Sequence, residues 1–297
     1  MRKHISLFGA ILVMILWGSL FPVVKAGYRA FDVSGIADIM LFAGVRFVIC
    51  GAAISLFSFF RNKSDLRFSK RELFLTLIMG LFAIILHYAC TYIGLSLTDS
   101  AKTALLKQSG ALLYVIFAGL FFKDDKLTCS KFFGVIIGFL GIAVLNIGNV
   151  GFSFRIGEIL IIAASLCTIA SNIVGKHLYL TKAPIAAIGL SQLFGGAVML
   201  AVGLIFGGEI KIASNAAYPI LFYIIIASSI SYCIWALLVK SGNLSGLFII
   251  KFIEPVFACV FGWLILGEDI LKWQYPVSFI LVVIGISISK LNKKSDG

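Results

Sequence analysis

The chain has 297 residues, 61% hydrophobic and only 13% charged, with a mean hydropathy of +1.08. Soluble domains are about 45–50% apolar and about 25% charged, so this composition excludes a water-soluble enzyme and a nucleic-acid binder. The net charge of +12 instead fits the excess of Lys and Arg that polytopic membrane proteins keep on their cytoplasmic side.

A spanning helix needs about 20 predominantly apolar residues. Ten such stretches follow one another, at 6–28, 37–60, 72–96, 101–122, 131–149, 156–178, 184–207, 217–240, 245–266 and 270–290. The first follows Met1-Arg2-Lys3-His4, as a signal peptide would. It is nevertheless read as an uncleaved helix, because it exceeds 20 residues, carries Trp17 and Pro22 and has no small-x-small cleavage site. With the N-terminus inside, sixteen Lys and Arg fall on the inner side and six on the outer. That imbalance predicts a multi-pass protein of the cytoplasmic membrane with both termini cytoplasmic. The Asn243-Leu-Ser245 sequon then lies inside, where it is not glycosylated.

A shift of 144 residues aligns the two halves. It places Phe122-Lys-Asp-Asp-Lys-Leu127 on Leu266-Gly-Glu-Asp-Ile-Leu271, Gly141-Ile142 on Gly285-Ile286, Tyr88 on Tyr232 and Lys107 on Lys251. Five spans per half is an odd number, so the second copy enters the membrane from the opposite side. The expected fold is an all-α membrane protein of ten transmembrane helices in two inverted five-helix repeats, residues 1–150 and 151–297. That architecture places a substrate site near the midplane, between the halves.

Charges inside the spans mark candidate site residues, since each costs about 2.5–3.5 kcal/mol at a span centre. They are Arg46, Lys107, Lys251 and Glu254, with His87 able to add a further positive charge. Helical rise puts Lys107 and Lys251 ~15 Å apart in depth, too far to grip one carboxylate together. Glu254 follows Lys251 by three residues, on the same helical face. Pro255 and Pro22 should kink their helices by freeing the carbonyls of residues 251 and 18. Trp17, Tyr88, Tyr232 and Trp235 supply aromatic walls suited to a small-solute cavity, and Gln108 is an intramembrane amide beside Lys107. An excess of cations over anions favours an anionic or zwitterionic solute. Other readings compete: Lys25, Lys102 and Lys176 snorkel to the headgroups, Arg46 tethers carbonyls, and Gln108, Asn172 and Gln192 join helices.

No cofactor or metal is expected. The six cysteines form no CxxC pair, and HExxH, GxSxG and P-loop motifs are missing. Asp124-Asp125 is followed by Lys126-Leu127, which is not the DDxxD of prenyl transfer. Without an ATP site, active transport must draw on an ion gradient or on exchange.

Three segments carry a family resemblance. Ile15-Leu-Trp-Gly-Ser-Leu-Phe-Pro22 with Lys25, Gly44-Val-Arg46-Phe47, and Lys251-Phe-Ile-Glu254-Pro255-Val-Phe-Ala through Leu266-Gly-Glu268 resemble the drug/metabolite transporter superfamily, specifically its ten-helix EamA-type members. The fourth span departs: a proline is usual near Gly110 or Ala111, and small polar residues are usual where Lys102 and Lys107 stand. The resemblance implies a secondary carrier in which the first four helices of each repeat line the cavity. The fifth and tenth would then lie peripherally, in a homodimer interface. Amino-acid or organic-acid export is the expected activity, with a small-molecule metabolite and membrane lipid as partners and no nucleic acid. Lipophilic drug efflux is the alternative and would be indifferent to Lys107 and Lys251. A non-transport membrane enzyme would need two titratable groups at one depth in a cleft, and Lys251 with Glu254, on a single helix, is the one candidate pair.

Overall fold

A computed structural model describes residues 2–98, 103, 106–122, 127–144, 147, 155–267 and 273–289. Lys102, Asp124, Asp125 and Glu268 lie outside the described residues.

Among the described residues the chain is helical with no strand, as hydrocarbon demands of backbone that can find no water. Seven helices are long and apolar enough to cross a membrane. They are α1 (Arg2–Ala30), α2 (Ile36–Arg61), α3 (Lys70–Leu97), α6 (Ile156–Leu178), α7 (Pro184–Ile205), α8 (Ala217–Ser241) and α9 (Leu244–Leu266). Three shorter apolar helices are also described: α4 (Gln108–Phe121), α5 (Cys129–Val144) and α10 (Gln274–Ser289). Within the fourth predicted span, residues 103 and 106 are helical, Lys107 is a turn, and unbroken helix runs from Gln108.

Local chemistry sets the helix ends. Ser69 caps α3 and receives the reciprocal bond of Glu72, whose Oε2 accepts from the Ser69 N–H at 2.8 Å. Pro184 opens α7, where its missing N–H costs nothing. Asn243, read above as a silent sequon, accepts from the Gly246 N–H at 2.9 Å and caps α9. Gly267 closes α9 at φ +69°, a left-handed conformation that suits glycine.

Two prolines behave differently. Pro255 follows a 3₁₀ turn, Lys251–Ile253, that separates Leu244–Ile250 from Glu254–Leu266 within α9. Pro22 sits inside an uninterrupted α1. The freed carbonyl side of α1 at Gly18 is where α9 crosses it: a Cβ there would lie 2.6 Å from Phe257 Cβ and 2.8 Å from the Glu254 carbonyl oxygen.

Helix α2 packs along α7 on glycine. A Cβ on Gly44, Gly51, Gly196 or Gly203 would lie within 2.6 Å of backbone on the facing helix: Leu200, Leu193, Val48 and Leu41 respectively. As the number rises on one helix it falls on the other, so the pair is antiparallel. Gly134, Gly141 and Gly285 bring α5 against α10 in the same way. Small residues that let backbones touch are how helices associate in lipid, where the hydrophobic effect between them is absent. Helix α1 packs on α8 and α9, and α6 packs on α3 and α4.

Polar ties close both ends of the bundle. At the α1–α2 end, Lys25 Nζ donates to the Thr98 carbonyl at 3.0 Å, and Asp38 Oδ1 accepts from the Glu209 N–H at 2.8 Å. At the α2–α3 end, Lys176 Nζ donates to the Gly242 carbonyl at 2.5 Å, and Lys182 Nζ donates to the Arg67 carbonyl at 2.6 Å. Lys25 and Lys176 therefore cap carbonyls at a neighbouring helix end, rather than reaching for headgroups. Lys182 is buried with its ammonium 4.1 Å from the Phe68 ring centroid. Lys182→Met keeps the stem and removes the donor, and is expected to cost about 1 kcal/mol of stability, read as a lowered melting temperature in detergent. An unchanged melting temperature would show that this tie carries no weight.

Candidate functional site

Between the helices lies a cavity with about 860 Å³ of empty space counted out to its mouth. Its lining comes from α1, α2, α3, α6, α7, α8, α9 and the turn at Lys107; none of it belongs to α5 or α10. Nine of the ten predicted binding residues line it: Trp17, Arg46, His87, Tyr88, Lys107, Tyr232, Trp235, Lys251 and Glu254. Gln108 is fully buried and lies away from the lining.

The path from sequence to this convergence runs through irregular backbone. Leu81–Leu86 of α3 forms a π-helical stretch, directly before His87 and Tyr88. Such a stretch resets the face that follows, and it is common at functional sites. The Lys107 turn and the Lys251–Ile253 3₁₀ turn likewise re-aim their lysines. The Lys107 ammonium sits 5.0 Å from the Phe21 ring centroid and that of Lys251 5.1 Å from the Trp17 ring. Phe21 and Trp17 are one turn apart on α1, a rise of about 6 Å. Both lysines thus line one cavity, beside rings one turn apart on α1.

Hydrogen bonding fixes the role of His87. Its Nδ1 is 2.8 Å from the Ala164 carbonyl oxygen, and its Nε2 is 3.3 Å from Lys107 Nζ. The consistent assignment has Nδ1–H donating to Ala164 and Nε2 accepting from the ammonium. Thr168 Oγ1 lies 2.9 Å from the same Nδ1, so both ring nitrogens of His87 are engaged.

Arg46 is 1% exposed. Its Nε and Nη2 both donate to Ser228 Oγ, at 3.1 and 2.6 Å, and its Cζ lies 4.8, 5.4 and 5.8 Å from the Phe47, Tyr88 and Tyr92 ring centroids. Among the described residues it has no carboxylate partner. Lys251 does have one, Glu254 at 3.8 Å, on the same helix as expected. That separation is a loose ion pair rather than a hydrogen bond. Rings of Trp17, Trp235 and Phe248 surround the Lys251 ammonium at 5.1, 5.8 and 5.8 Å, within reach of cation–π attraction.

Tyr88 and Tyr232 share a hydroxyl hydrogen bond at 2.5 Å, and Trp235 Nε1 donates to Asn172 Oδ1 at 2.8 Å. Four buried polar atoms on the lining have no hydrogen-bond partner among the described residues: Trp17 Nε1, Thr91 Oγ1, Tyr92 Oη and Glu254 Oε2. Buried polar groups are nearly always satisfied, so these face water or a solute. Thr91, Tyr92 and Ser228 escaped the sequence reading. The first two were findable, since they follow His87 and Tyr88 by four residues on the same helical face.

A helical bundle of membrane-length segments around a partly polar central cavity, with cations buried in it, defines a multi-pass membrane protein built to hold a small solute. The EamA-like transporter family model matches twice, over residues 4–147 and again over 155–290, and the chain belongs to that family. It is similar to the uncharacterized transporter YoaV of Bacillus subtilis, 25% identical over 272 residues and covering 89% of each chain. It is 24% identical over 286 residues to the uncharacterized inner membrane transporter YedA of Escherichia coli K12, covering 95% of this chain and 90% of that one. A WAT1-related chloroplastic protein of Arabidopsis thaliana is 24% identical over 202 residues, 64% of this chain and 48% of that one. A solved crystal structure superposes with TM-score 0.77 at 18% identity over 96% of both chains, which is a likeness of fold.

Proposed function

We propose that this protein is a secondary carrier that exports a small anionic or zwitterionic metabolite, an amino acid or organic acid, across the cytoplasmic membrane by alternating access. The observation that carries this reading is the convergence of Lys107 and Lys251, residues 144 apart and one from each half, on a single cavity.

Support for two inverted five-helix repeats comes from the contacts. Adding five to each helix number turns the packing of α1 on α8 and α9 into that of α6 on α3 and α4. It also exchanges α2 with α7 and α5 with α10, each pair antiparallel. Tyr88 and Tyr232 are counterparts under the same shift and touch each other, as residues beside an axis relating the halves would. The carbonyls capped at opposite ends of the bundle, on Thr98 and Gly242, are counterparts too. The double family match divides the chain at the same place. Rocking one half against the other would open the cavity to each side in turn.

The test is counterflow in proteoliposomes of the purified chain, preloaded with unlabelled amino and organic acids and offered labelled solute outside. Accumulation of an anionic or zwitterionic solute is expected, with none of a polyamine. Accumulation of lipophilic cations instead would favour the drug-efflux alternative. Tags on both termini should be cleaved together by protease added to inside-out vesicles, since both are expected on the cytoplasmic side. Cleavage of one alone would break the inverted arrangement.

A further inference from the structure

Resting on that carrier reading, we infer that the solute is a dicarboxylate, held with one carboxylate at Arg46 and the other at Lys107. Among the described residues the cavity carries three buried cations, Arg46, Lys107 and Lys251, against the single carboxylate of Glu254. The Lys251–Glu254 pair neutralises itself. Two positive charges remain, both contributed by the first half of the chain. Their counterparts under the 144-residue shift are Leu190 and the paired Lys251, and the residue in Glu254's place beside Lys107 is Gly110. The charge is therefore polarised within an otherwise repeated frame. An uncompensated charge taken out of water costs several kcal/mol, so two call for two countercharges.

Arg46 Cζ lies 5.4 Å from the Tyr88 ring centroid, while Lys107 Nζ lies 3.3 Å from Nε2 of His87, whose ring centroid is 4.6 Å from that of Tyr88, so the contacts from one cation to the other run through these two rings. Ser228 occupies the Nε and Nη2 edge of the guanidinium, leaving further N–H donors for an oxyanion. The unpartnered hydroxyl of Tyr92 belongs to this pole, with the Tyr92 ring 5.8 Å from the guanidinium carbon. Lys107 keeps donors beyond the one spent on His87. Two cations parted by aromatic rings match two carboxylates parted by a carbon chain, better than the compact charge of a phosphate group.

The experiment titrates the purified full-length protein with succinate, butyrate, alanine and inorganic phosphate near pH 7.5, following the fluorescence of the cavity-lining Trp17 and Trp235. The same four solutes then compete in proteoliposome counterflow. Succinate is expected to bind at least about tenfold more tightly than butyrate, which has the same chain with one carboxylate, and more tightly than phosphate. Arg46→Gln should erase the difference, leaving succinate and butyrate alike. Tyr92→Phe keeps the ring and loses only the hydroxyl, and should narrow the preference severalfold even if Arg46→Gln fails to fold. Equal binding of succinate and butyrate by the unaltered protein, or a preference for alanine or phosphate, overturns the dicarboxylate inference while leaving the carrier reading standing. Tight succinate binding without counterflow of any solute overturns the carrier reading instead.

Discussion

Lys107→Ala is expected to remove most solute uptake while leaving the protein folded. Its ammonium contacts the Phe21 ring and the His87 Nε2 and no carboxylate among the described residues, so its loss strands no buried anion. A charge-assisted hydrogen bond to a solute contributes about 1.5–3 kcal/mol, so affinity should fall about 10- to 100-fold. Lys251→Ala has a different consequence. It leaves Glu254, 2% exposed, without its cation, and breaking a buried pair from one side costs about 3–5 kcal/mol. Uptake should be lost there as well, with a lowered melting temperature that Lys251→Met with Glu254→Gln restores. Uptake is measured in proteoliposomes per amount of monodisperse protein. Full activity in both single lysine variants would remove the anion-binding cavity from consideration.

Gly51→Leu should be the most damaging change to the bundle. A Cβ there would lie 2.3 Å from the Leu193 nitrogen and 2.7 Å from its Cα. These are backbone atoms, so no rotamer change relieves the clash, and α2 must part from α7 along its length. Overpacking costs about 1–3 kcal/mol where side chains can shift and more where they cannot. Melting temperature in detergent should fall by about 5–10 °C, or the monodisperse peak should vanish on size exclusion. Gly196→Leu, whose Cβ would meet the Val48 nitrogen at 2.5 Å, should act alike from the other helix, whereas Gly246→Ala, with 3.7 Å to its nearest neighbour, should be tolerated. A stable Gly51→Leu protein would mean that the two helices are held apart.

Much of this was legible in residues alone, because lipid allows few choices. Apolar runs of 20 or more residues became helices whose limits differ from the expected ones by a few residues in most cases, as at 156–178. The Lys251–Glu254 pair followed from spacing three on a helix. The 144-residue shift found two counterpart pairs, Tyr88 with Tyr232 and Lys107 with Lys251, that the folded chain brings together. Other features were hidden. Periodicity reports regular helix, so it missed the π-helical stretch at Leu81–Leu86 and the turn at Lys107. Lone polar residues such as Ser228 carry no signal until their partner, here Arg46 at a separation of 182 residues, is in place.

Taken by itself, the amino-acid order determined the solvent this chain folds in, the helical backbone that follows from it, and the presence of charges that hydrocarbon does not tolerate without purpose. Those are consequences of composition and of the cost of an unpaired backbone group in lipid, and both are local. Only the tertiary structure decided which charges are answered among the described residues: Lys251 by Glu254, His87 by Ala164 and Lys107, and Arg46 by a hydroxyl and aromatic rings. That outcome depends on distances between helices far apart in sequence, set by where glycine lets two backbones touch, and no one-dimensional pattern contains them.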